Sequence, residues 1–260
     1  MTNHNLSSVQ NALRVLWALS EEDPGIGVTE LAGRLGLAKS TAHRLLATLM
    51  ADGFVRQLED GRYALGLALW ELGSRAVGRL EFREVAHPIL EALRNETGET
   101  IHLALLDGCD VVYVDRFESQ ATLTMFRRIG FRMPAHATSS GKAILAFSSP
   151  DVVDRIVAGG LRKLGPQTLT SKKKLITALA QIRADGYVYS RDESEAGVAS
   201  IGAPIFDHRR DVAGALSMAA PNQRLPEDKV SSLARKVRKA ADDISRGLGY
   251  PLAPRAVHDH

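Results

Sequence analysis

One pair of short helices near the N-terminus constrains the fold of this 260-residue chain more than any other feature. Thr29 is placed to cap a helix over Glu30–Leu35, and Gly36 supplies a turn. A longer helix is expected from Ala38 to Asp52, and Gly53 stands where a left-handed C-terminal cap belongs. Two amphipathic helices joined by a tight glycine turn are typical of a helix-turn-helix.

The residues on either side complete a winged helix-turn-helix. Apolar residues at helical spacing predict a helix over Ser8–Leu19, whose first residue is the expected cap. Phe54–Arg56 and Arg62–Leu65 flank a polar turn and predict a β-hairpin, the wing. A helix over Gly66–Val77 follows as a linker or dimer contact. Three helices followed by a hairpin therefore indicate a DNA-binding winged helix-turn-helix.

After residue 80 the pattern changes to strands interrupted by helices, which is typical of an α+β domain with a mainly antiparallel sheet. Asp107 and Gly108 favour a tight hairpin. We expect helices over Phe82–Glu96, Gly141–Phe147, Asp151–Ala158, Ser171–Asp185 and Glu227–Gly247. We expect strands over Ile101–Leu106, Val111–Phe117, Leu123–Phe126, Tyr187–Ser190, Ala199–Phe206 and Val212–Ala219. The expected domains are a winged helix-turn-helix at 1–65, a linker helix at 66–80, a sensor domain at 81–250 and a loose tail at 251–260.

Composition limits the environment and the partners. The single cysteine, Cys109, excludes an internal disulfide and a thiolate metal cage. The N-terminal residues lack a signal-peptide pattern, and no apolar run approaches the ~18 residues of a membrane span, so we expect a cytoplasmic protein. The net charge of +3 permits a nucleic-acid partner without requiring one. Five basic residues nevertheless fall within residues 34–62, which predicts a local basic patch.

The third helix carries the candidate DNA contacts. The N-terminal turn of a recognition helix presents the side chains that reach base edges and phosphates in the major groove. The expected contacts there are Lys39, Ser40, Thr41, His43 and Arg44. Arg56 and Arg62 flank the wing and are placed to grip the neighbouring backbone. The two winged helix-turn-helix domains of a dimer would occupy successive major grooves, so we expect a nearly palindromic double-stranded operator.

The turn from Thr138 to Lys142 leads into an apolar helix and allows three interpretations. Its backbone N–H groups can bind a carboxylate, because the helix dipole favours negative charge there. An N-cap with no ligand is equally compatible with the pattern. Ser139 and Lys142 also match the Ser-x-x-Lys pair of a serine hydrolase, but neither a Ser-Asp-Asn nor a Lys-Thr-Gly partner occurs. The sequence therefore predicts no enzyme, and a further alternative is a ligand-binding dimerisation module that binds no DNA.

Several segments together closely resemble the isocitrate-lyase-regulator (IclR) family of bacterial transcription factors, over nearly the whole chain. The segments that carry the resemblance are Thr29–Leu49, Gly61–Gly66, Gly98–Ala104, Val111–Arg116, Pro134–Lys142 and Gly197–Pro204. The resemblance implies a winged helix-turn-helix, a linker helix and a GAF-like effector-binding domain, assembled as a homodimer or a dimer of dimers. The residues themselves are compatible with repression and with activation.

The resemblance also implies an effector site for a small organic acid. Family members hold the acid group at the turn that corresponds to Ser139, Ser140 and Gly141. The same resemblance points to Ser190, Ser200, Ser217 and Ala219, with Met133 as an apolar neighbour. Ser200 stands where many relatives carry cysteine and Ser190 where an aspartate is common, so a larger or partly apolar acid, such as an aromatic one, is a reasonable ligand. No histidine spacing indicates a metal, and we predict neither metal nor cofactor.

Overall fold

The structure, a computed structural model, describes residues 6–22, 24–78, 81–119 and 128–251. The chain divides into two compact units, Met1–Arg79 and Leu80–His260. Each unit has its own cluster of buried apolar side chains, so each has a core of its own.

The first unit is a winged helix-turn-helix, as predicted. Its elements are α1 (Ser7–Ser20), α2 (Val28–Leu35), α3 (Lys39–Ala51), β1 (Val55–Gln57), β2 (Tyr63–Leu65) and α4 (Ala68–Gly78). The two strands pair antiparallel, with Val55 opposite Leu65, and Ile26 forms a further bridge to Tyr63. Its core contains Val15, Leu19, Ile26, Leu31, Leu46, Val55 and Tyr63.

Two glycines end the helices as expected. Gly36 has φ +66° after α2, and Gly53 has φ +75° just beyond α3. Left-handed backbone of this kind carries a steric penalty for residues with a Cβ, which is why glycine is favoured there. The amide of Phe54 then reaches back to the carbonyl of Leu49 at 2.8 Å, which closes the end of α3.

The predicted starts of the first two helices were wrong by one or two residues. Helix α1 begins at Ser7 with Leu6 at its N-cap, so Ser8 lies inside the helix. Helix α2 begins at Val28 with Gly27 at its N-cap, so Thr29 is a helical residue. Neither N-cap residue makes a side-chain bond. The cap signals therefore misplaced the starts by the one or two residues over which helix ends commonly vary.

The second unit contains one six-stranded sheet among helices. Its elements are α5 (Glu81–Thr97), β3 (Thr100–Asp107), β4 (Asp110–Phe117), β5 (Arg132–Pro134), a 3₁₀ turn (Ala135–Ala137), α6 (Ser139–Phe147), α7 (Pro150–Ala158), α8 (Lys172–Asp185), β6 (Val188–Arg191), β7 (Val198–Phe206), β8 (Val212–Pro221) and α9 (Glu227–Gly247). The strand order is β5-β4-β3-β8-β7-β6, and every neighbouring pair is antiparallel. This confirms the predicted α+β class.

The hairpin between β3 and β4 is as tight as predicted. Asp107 pairs with Asp110, and Gly108 adopts φ +64° between them. The strand predicted at 123–126 falls outside the described residues. The edge strand β5, in contrast, was not predicted, because three residues that include Arg132 and Pro134 show no usable periodicity.

Helices cover both faces of the sheet. Ile101 and Leu103 of β3 join the core with α5 and α9, whereas Ala104 belongs to the core with α6 and α8. Successive strand residues point to opposite faces, so His102, between Ile101 and Leu103, faces α6. A polar side chain on a strand covered on both faces is the exception that marks a site.

No helix within the described ranges is long and apolar enough to cross a membrane.

Candidate functional site

The first candidate surface is the N-terminal turn of α3. Lys39, Ser40, Thr41, His43 and Arg44 are all exposed there. Ala42 and Leu46 point the other way and are fully buried, so packing against the first unit's core fixes the helix orientation. The structure therefore brings all five predicted residues together on one solvent-facing turn. This turn contains no acidic residue, so its charge and its free backbone N–H groups are both favourable to phosphate.

The two wing arginines differ in their surroundings. Arg56 of β1 is exposed. The guanidinium of Arg62 binds Asp60 at 2.6 Å across the turn, and this hydrogen-bonded pairing lowers the pKa of that carboxyl below its ordinary value. Arg56 is therefore available to a phosphate, whereas Arg62 would first have to leave, or share, its bond to Asp60.

The second candidate site is a narrow cavity between the sheet and the start of α6. Its free volume is about 10 Å³, the space of one water molecule. The lining residues are His102, Tyr113, Thr138, Ser139, Ser194, Val198, Ser200, Ser217 and Ala219. These described lining residues include no Asp, Glu, Lys or Arg. The cavity is thus lined mainly by hydroxyl groups, with one imidazole and one phenol.

Strand register brings this lining together. His102 on β3 stands opposite Ser217 on β8, and Ser200 on β7 stands opposite Ala219 on β8. The ring centroids of His102 and Tyr113 are 4.7 Å apart. Residues far apart in the chain therefore meet on the α6 side of the four inner strands, β4, β3, β8 and β7.

The N-terminal end of α6 covers the cavity on the side opposite the sheet. A Cβ on Gly202 of β7 would lie 2.8 Å from the carbonyl carbon of Ser139, so the glycine allows α6 to rest directly on the sheet. The helix begins at Ser139, two residues earlier than predicted, because Thr138 caps it: the amide of Gly141 donates to Thr138 Oγ1 at 3.0 Å. One of the amides expected to face an anion is thus already bonded within the protein.

Some predicted residues lie away from the cavity. Ser139, Ser200, Ser217 and Ala219 line it, as the family resemblance suggested. The residues that do not line it are Met133, Ser140, Gly141 and Ser190. Met133 packs in the core beneath α6. Ser190 pairs across the sheet with Ser200, one strand further from the cavity. The backbone of Gly141 packs against Ala135, where a Cβ would lie 2.1 Å from the carbonyl oxygen.

Sequence reasoning missed His102, Tyr113, Thr138, Ser194 and Val198 as lining residues. The sequence predicted no functional role for His102. Its period-two position between two core residues was the signal that could have placed it on the α6 side. Ser194 carries no such signal, because it lies in the connection between β6 and β7. No cluster of three or more metal-binding side chains occurs within the described ranges.

A buried ion pair lies beside the cavity. Lys142 of α6 and Glu193 of the β6–β7 connection are bonded to each other, with side-chain exposures of 2% and 10%. Burial lowers the pKa of the Lys142 ammonium, and the Glu193 carboxylate opposes that shift. A hydrolase of the Ser-x-x-Lys type needs its lysine amine at the serine hydroxyl. Here the Lys142 amine is bonded to the Glu193 carboxylate instead, which argues against the hydrolase hypothesis.

Comparison with known families decides between the remaining interpretations. The family model for the IclR helix-turn-helix domain matches residues 8–59, and the model for the bacterial transcriptional regulator IclR C-terminal domain matches residues 74–246. The chain belongs to the IclR family. This IclR-family chain is therefore a DNA-binding transcriptional regulator with a C-terminal effector domain, and it is not an enzyme.

Individual relatives match along nearly their whole length. The HTH-type transcriptional regulator XynR from Escherichia coli strain K12 is 35% identical over 248 residues, covering 95% of this chain and 98% of that protein. The transcriptional repressor IclR from the same strain is 34% identical over 248 residues, covering 94% and 90%. A crystal structure of an IclR homolog from Microbacterium hydrocarbonoxydans, complexed with 4-hydroxybenzoate, has a TM-score of 0.84 at 30% identity, covering 93% and 99%.

Proposed function

We propose that this regulator acts in the cytoplasm, where it binds a nearly palindromic operator as a homodimer or dimer of dimers, and that a small organic acid in the cavity changes its operator affinity. The observation that carries the proposal is the solvent-facing turn of α3. Lys39, Ser40, Thr41, His43 and Arg44 would read the major groove, and Arg56 and Arg62 would contact the adjacent backbone. In this proposal residues 1–65 bind DNA, 66–80 form the linker helix, 81–250 bind the effector and 251–260 are a loose tail.

An apolar stripe on the first unit supports self-association. Leu6, Val9, Leu13 and Trp17 repeat at helical spacing along α1 and are each more than half exposed. Trp70 of α4 is 71% exposed as well. Contiguous exposed apolar surface of this kind marks an interaction site. A two-fold operator requires two copies of the chain, and a two-fold interface joins the same patch of both subunits. A second copy of the chain is therefore the partner that covers this stripe.

The cavity supports an organic acid as effector. Hydroxyl groups of Ser139, Ser200 and Ser217 can donate to a carboxylate, and the start of α6 contributes its dipole. The other predicted residues lie outside the lining and would contribute indirectly, by supporting the residues that contact the effector. They are Ser140, Gly141, Ser190 and Met133. The rings of His102 and Tyr113 suit an aromatic acid, and the crystallised homolog with 4-hydroxybenzoate makes such acids the first to test. Because the narrow cavity has room for about one water molecule, an organic acid would widen it on binding.

The test of DNA binding is a salt titration on the promoter region of the neighbouring operon. Phosphate contacts release counterions, so affinity should fall steeply between about 50 and 200 mM salt. A shuffled fragment of equal length is the control. Equal affinity for both fragments would contradict sequence-specific regulation.

The test of the effector is a thermal-shift screen with carboxylic acids and phenols, followed by operator binding with each hit. A true effector must change operator affinity, because a ligand with equal affinity for both states shifts no equilibrium. A hit that raises the melting temperature but leaves operator affinity unchanged would contradict the proposed coupling.

A further inference from the structure

The buried ion pair of Lys142 and Glu193 lies outside the cavity lining, and neither DNA binding nor effector contact uses it. Lys142 is among the largest fully buried side chains in the described part of the chain. Burying two charges carries a large desolvation cost, and replacing such a pair by apolar residues is often neutral or stabilising. Stability alone is therefore a weak reason for the pair, and its position suggests another role.

The pair joins two elements that contribute residues to the cavity lining, α6 and the β6–β7 connection. Lys142 follows the lining residue Ser139 by three positions on α6, so their side chains lie on the same side of the helix. Glu193 immediately precedes the lining residue Ser194. An ion pair between Lys142 and Glu193 therefore ties the wall that contains Ser194 to the wall that contains Ser139.

The connection from Asp192 to Gly197 is held at its base by other bonds. The backbone carbonyl of Glu193 accepts from Thr168 Oγ1 at 2.6 Å and from the amide of Gly165 at 3.0 Å. Asp192 accepts from the amide of Gly197 at 2.6 Å, which closes the connection on itself. These bonds anchor the two ends of the connection to Thr168, Gly165 and to each other, and the Glu193 side chain adds the bond to Lys142 of α6.

We propose that Lys142 and Glu193 are positioning residues of the effector cavity, and that their ion pair holds the 192–197 connection against α6 and keeps the cavity closed. The inference rests on the proposed effector function of that cavity. Release of the pair lets the connection move away from Ser139, which gives the widening that a ligand larger than water needs. The pair thereby sets how readily an effector enters.

The test measures cavity opening without ligand or DNA. In a Cys109→Ser background, Ser217→Cys places one thiol on the buried cavity wall, where Ser217 is 3% exposed. Ala234→Cys, at a site on α9 that is 1% exposed and faces the core, reports global unfolding instead. The labelling rate of each thiol by N-ethylmaleimide is then compared with and without Glu193→Gln. We expect labelling at position 217 to accelerate at least about ten-fold while labelling at 234 changes little, because opening is local.

Two further variants keep the test decisive. The double variant Lys142→Met with Glu193→Gln removes both charges, leaves no buried ion unpaired, and should also label selectively at 217. Asp154→Asn breaks an exposed ion pair with Lys172 and should change neither rate. Equal acceleration at 217 and 234 would show a merely structural pair, and no acceleration at 217 would also overturn the proposal. Because labelling needs neither operator nor effector, its outcome is independent of whether the proposed regulatory function holds.

Discussion

The two sites of this regulator are built in opposite ways. The proposed DNA-binding surface consists of the exposed residues within 39–44, at the N-terminal end of α3. The cavity collects residues from His102 to Ala219, which come from strands, a helix and a connection, and most of them are buried. The first site needs only one correctly oriented helix. The cavity exists only when the strands have paired in register and α6 packs against the sheet.

The difference sets what each site tolerates. An exposed polar side chain is already solvated, so its removal costs binding but little folding free energy. A buried polar group must keep its partners, because an unsatisfied one costs about 1–3 kcal/mol. Substitutions in α3 should therefore separate function from stability, whereas substitutions around the cavity should change both. Four predictions test this contrast, beginning with the largest effect.

The strongest test compares two glycines. Gly141→Ala would place a Cβ 2.1 Å from the carbonyl oxygen of Ala135, so we expect the free energy of unfolding to fall by at least about 3 kcal/mol. Gly33→Ala in α2 meets nothing within 4 Å and should stabilise the first unit by about 0.5–1 kcal/mol. Urea unfolding measures both. A Gly141→Ala protein that unfolds at the wild-type urea concentration would break the contrast.

The second prediction concerns the exposed site. Arg44→Ala should weaken operator binding by about 1–3 kcal/mol and should lower the slope of affinity against salt if the guanidinium contacts a phosphate. Its urea midpoint should stay at the wild-type value because Arg44 is exposed. Arg155→Ala, at an exposed position of α7 in the second unit, is the matched control and should leave both quantities unchanged. Anisotropy titrations with labelled operator DNA decide the outcome.

The third prediction concerns the apolar stripe of α1. Trp17, which is 67% exposed, should be a central contact between two copies, so Trp17→Glu is expected to weaken self-association by at least about 2 kcal/mol. Ile176→Glu replaces an exposed apolar residue of α8 that lies outside the stripe and should have no effect. Sedimentation velocity over a concentration series measures both. A Trp17→Glu protein that associates like wild type would remove the stripe from the interface.

The smallest expected effect is a pH dependence of stability. Burial lowers the pKa of His136, although its bond to the carbonyl of Arg162 opposes the shift. The unfolded chain then binds a proton that the folded chain does not, so stability is complete above the ordinary histidine value of about 6.5 and falls as pH decreases below it. His136→Gln should reduce this fall in urea unfolding between about pH 7.5 and 5.5.

The matched control for that measurement is His43→Gln on the exposed face of α3. His43 is exposed, so its substitution controls for the loss of a histidine that folding does not bury. Identical slopes for the two variants would show that burial of His136 does not govern the dependence.

Sequence reasoning succeeded where structure is local. The glycine turn at Gly36, the cap at Gly53 and the hairpin at Gly108 each follow from the backbone freedom of one residue, and each was predicted. Helix starts were less accurate, because Ser8 and Thr29 have good capping chemistry but lie inside the first turns of their helices. Strand β5 was missed because three residues at a sheet edge show no period.

The residues around the cavity also divide into those that were predicted and those that were missed. Ser139, Ser200, Ser217 and Ala219 were placed by family resemblance, and they do line the cavity. Ser140 and Gly141 follow Ser139 directly in the chain, yet helical geometry turns the Ser140 side chain and the Gly141 backbone away from the cavity. Ser194 comes to the cavity through a connection whose path depends on bonds to Thr168 and Gly165, and no local pattern records that path.

The amino-acid sequence by itself determined the winged helix-turn-helix, the α+β class and the polar turn of α3, because periodicity, glycine positions and capping act over a few residues. Only the tertiary structure decided that His102 and Tyr113 face Ser139 and that Lys142 meets Glu193. Those contacts depend on strand register and on helix-to-sheet packing, which join residues that local propensities leave independent.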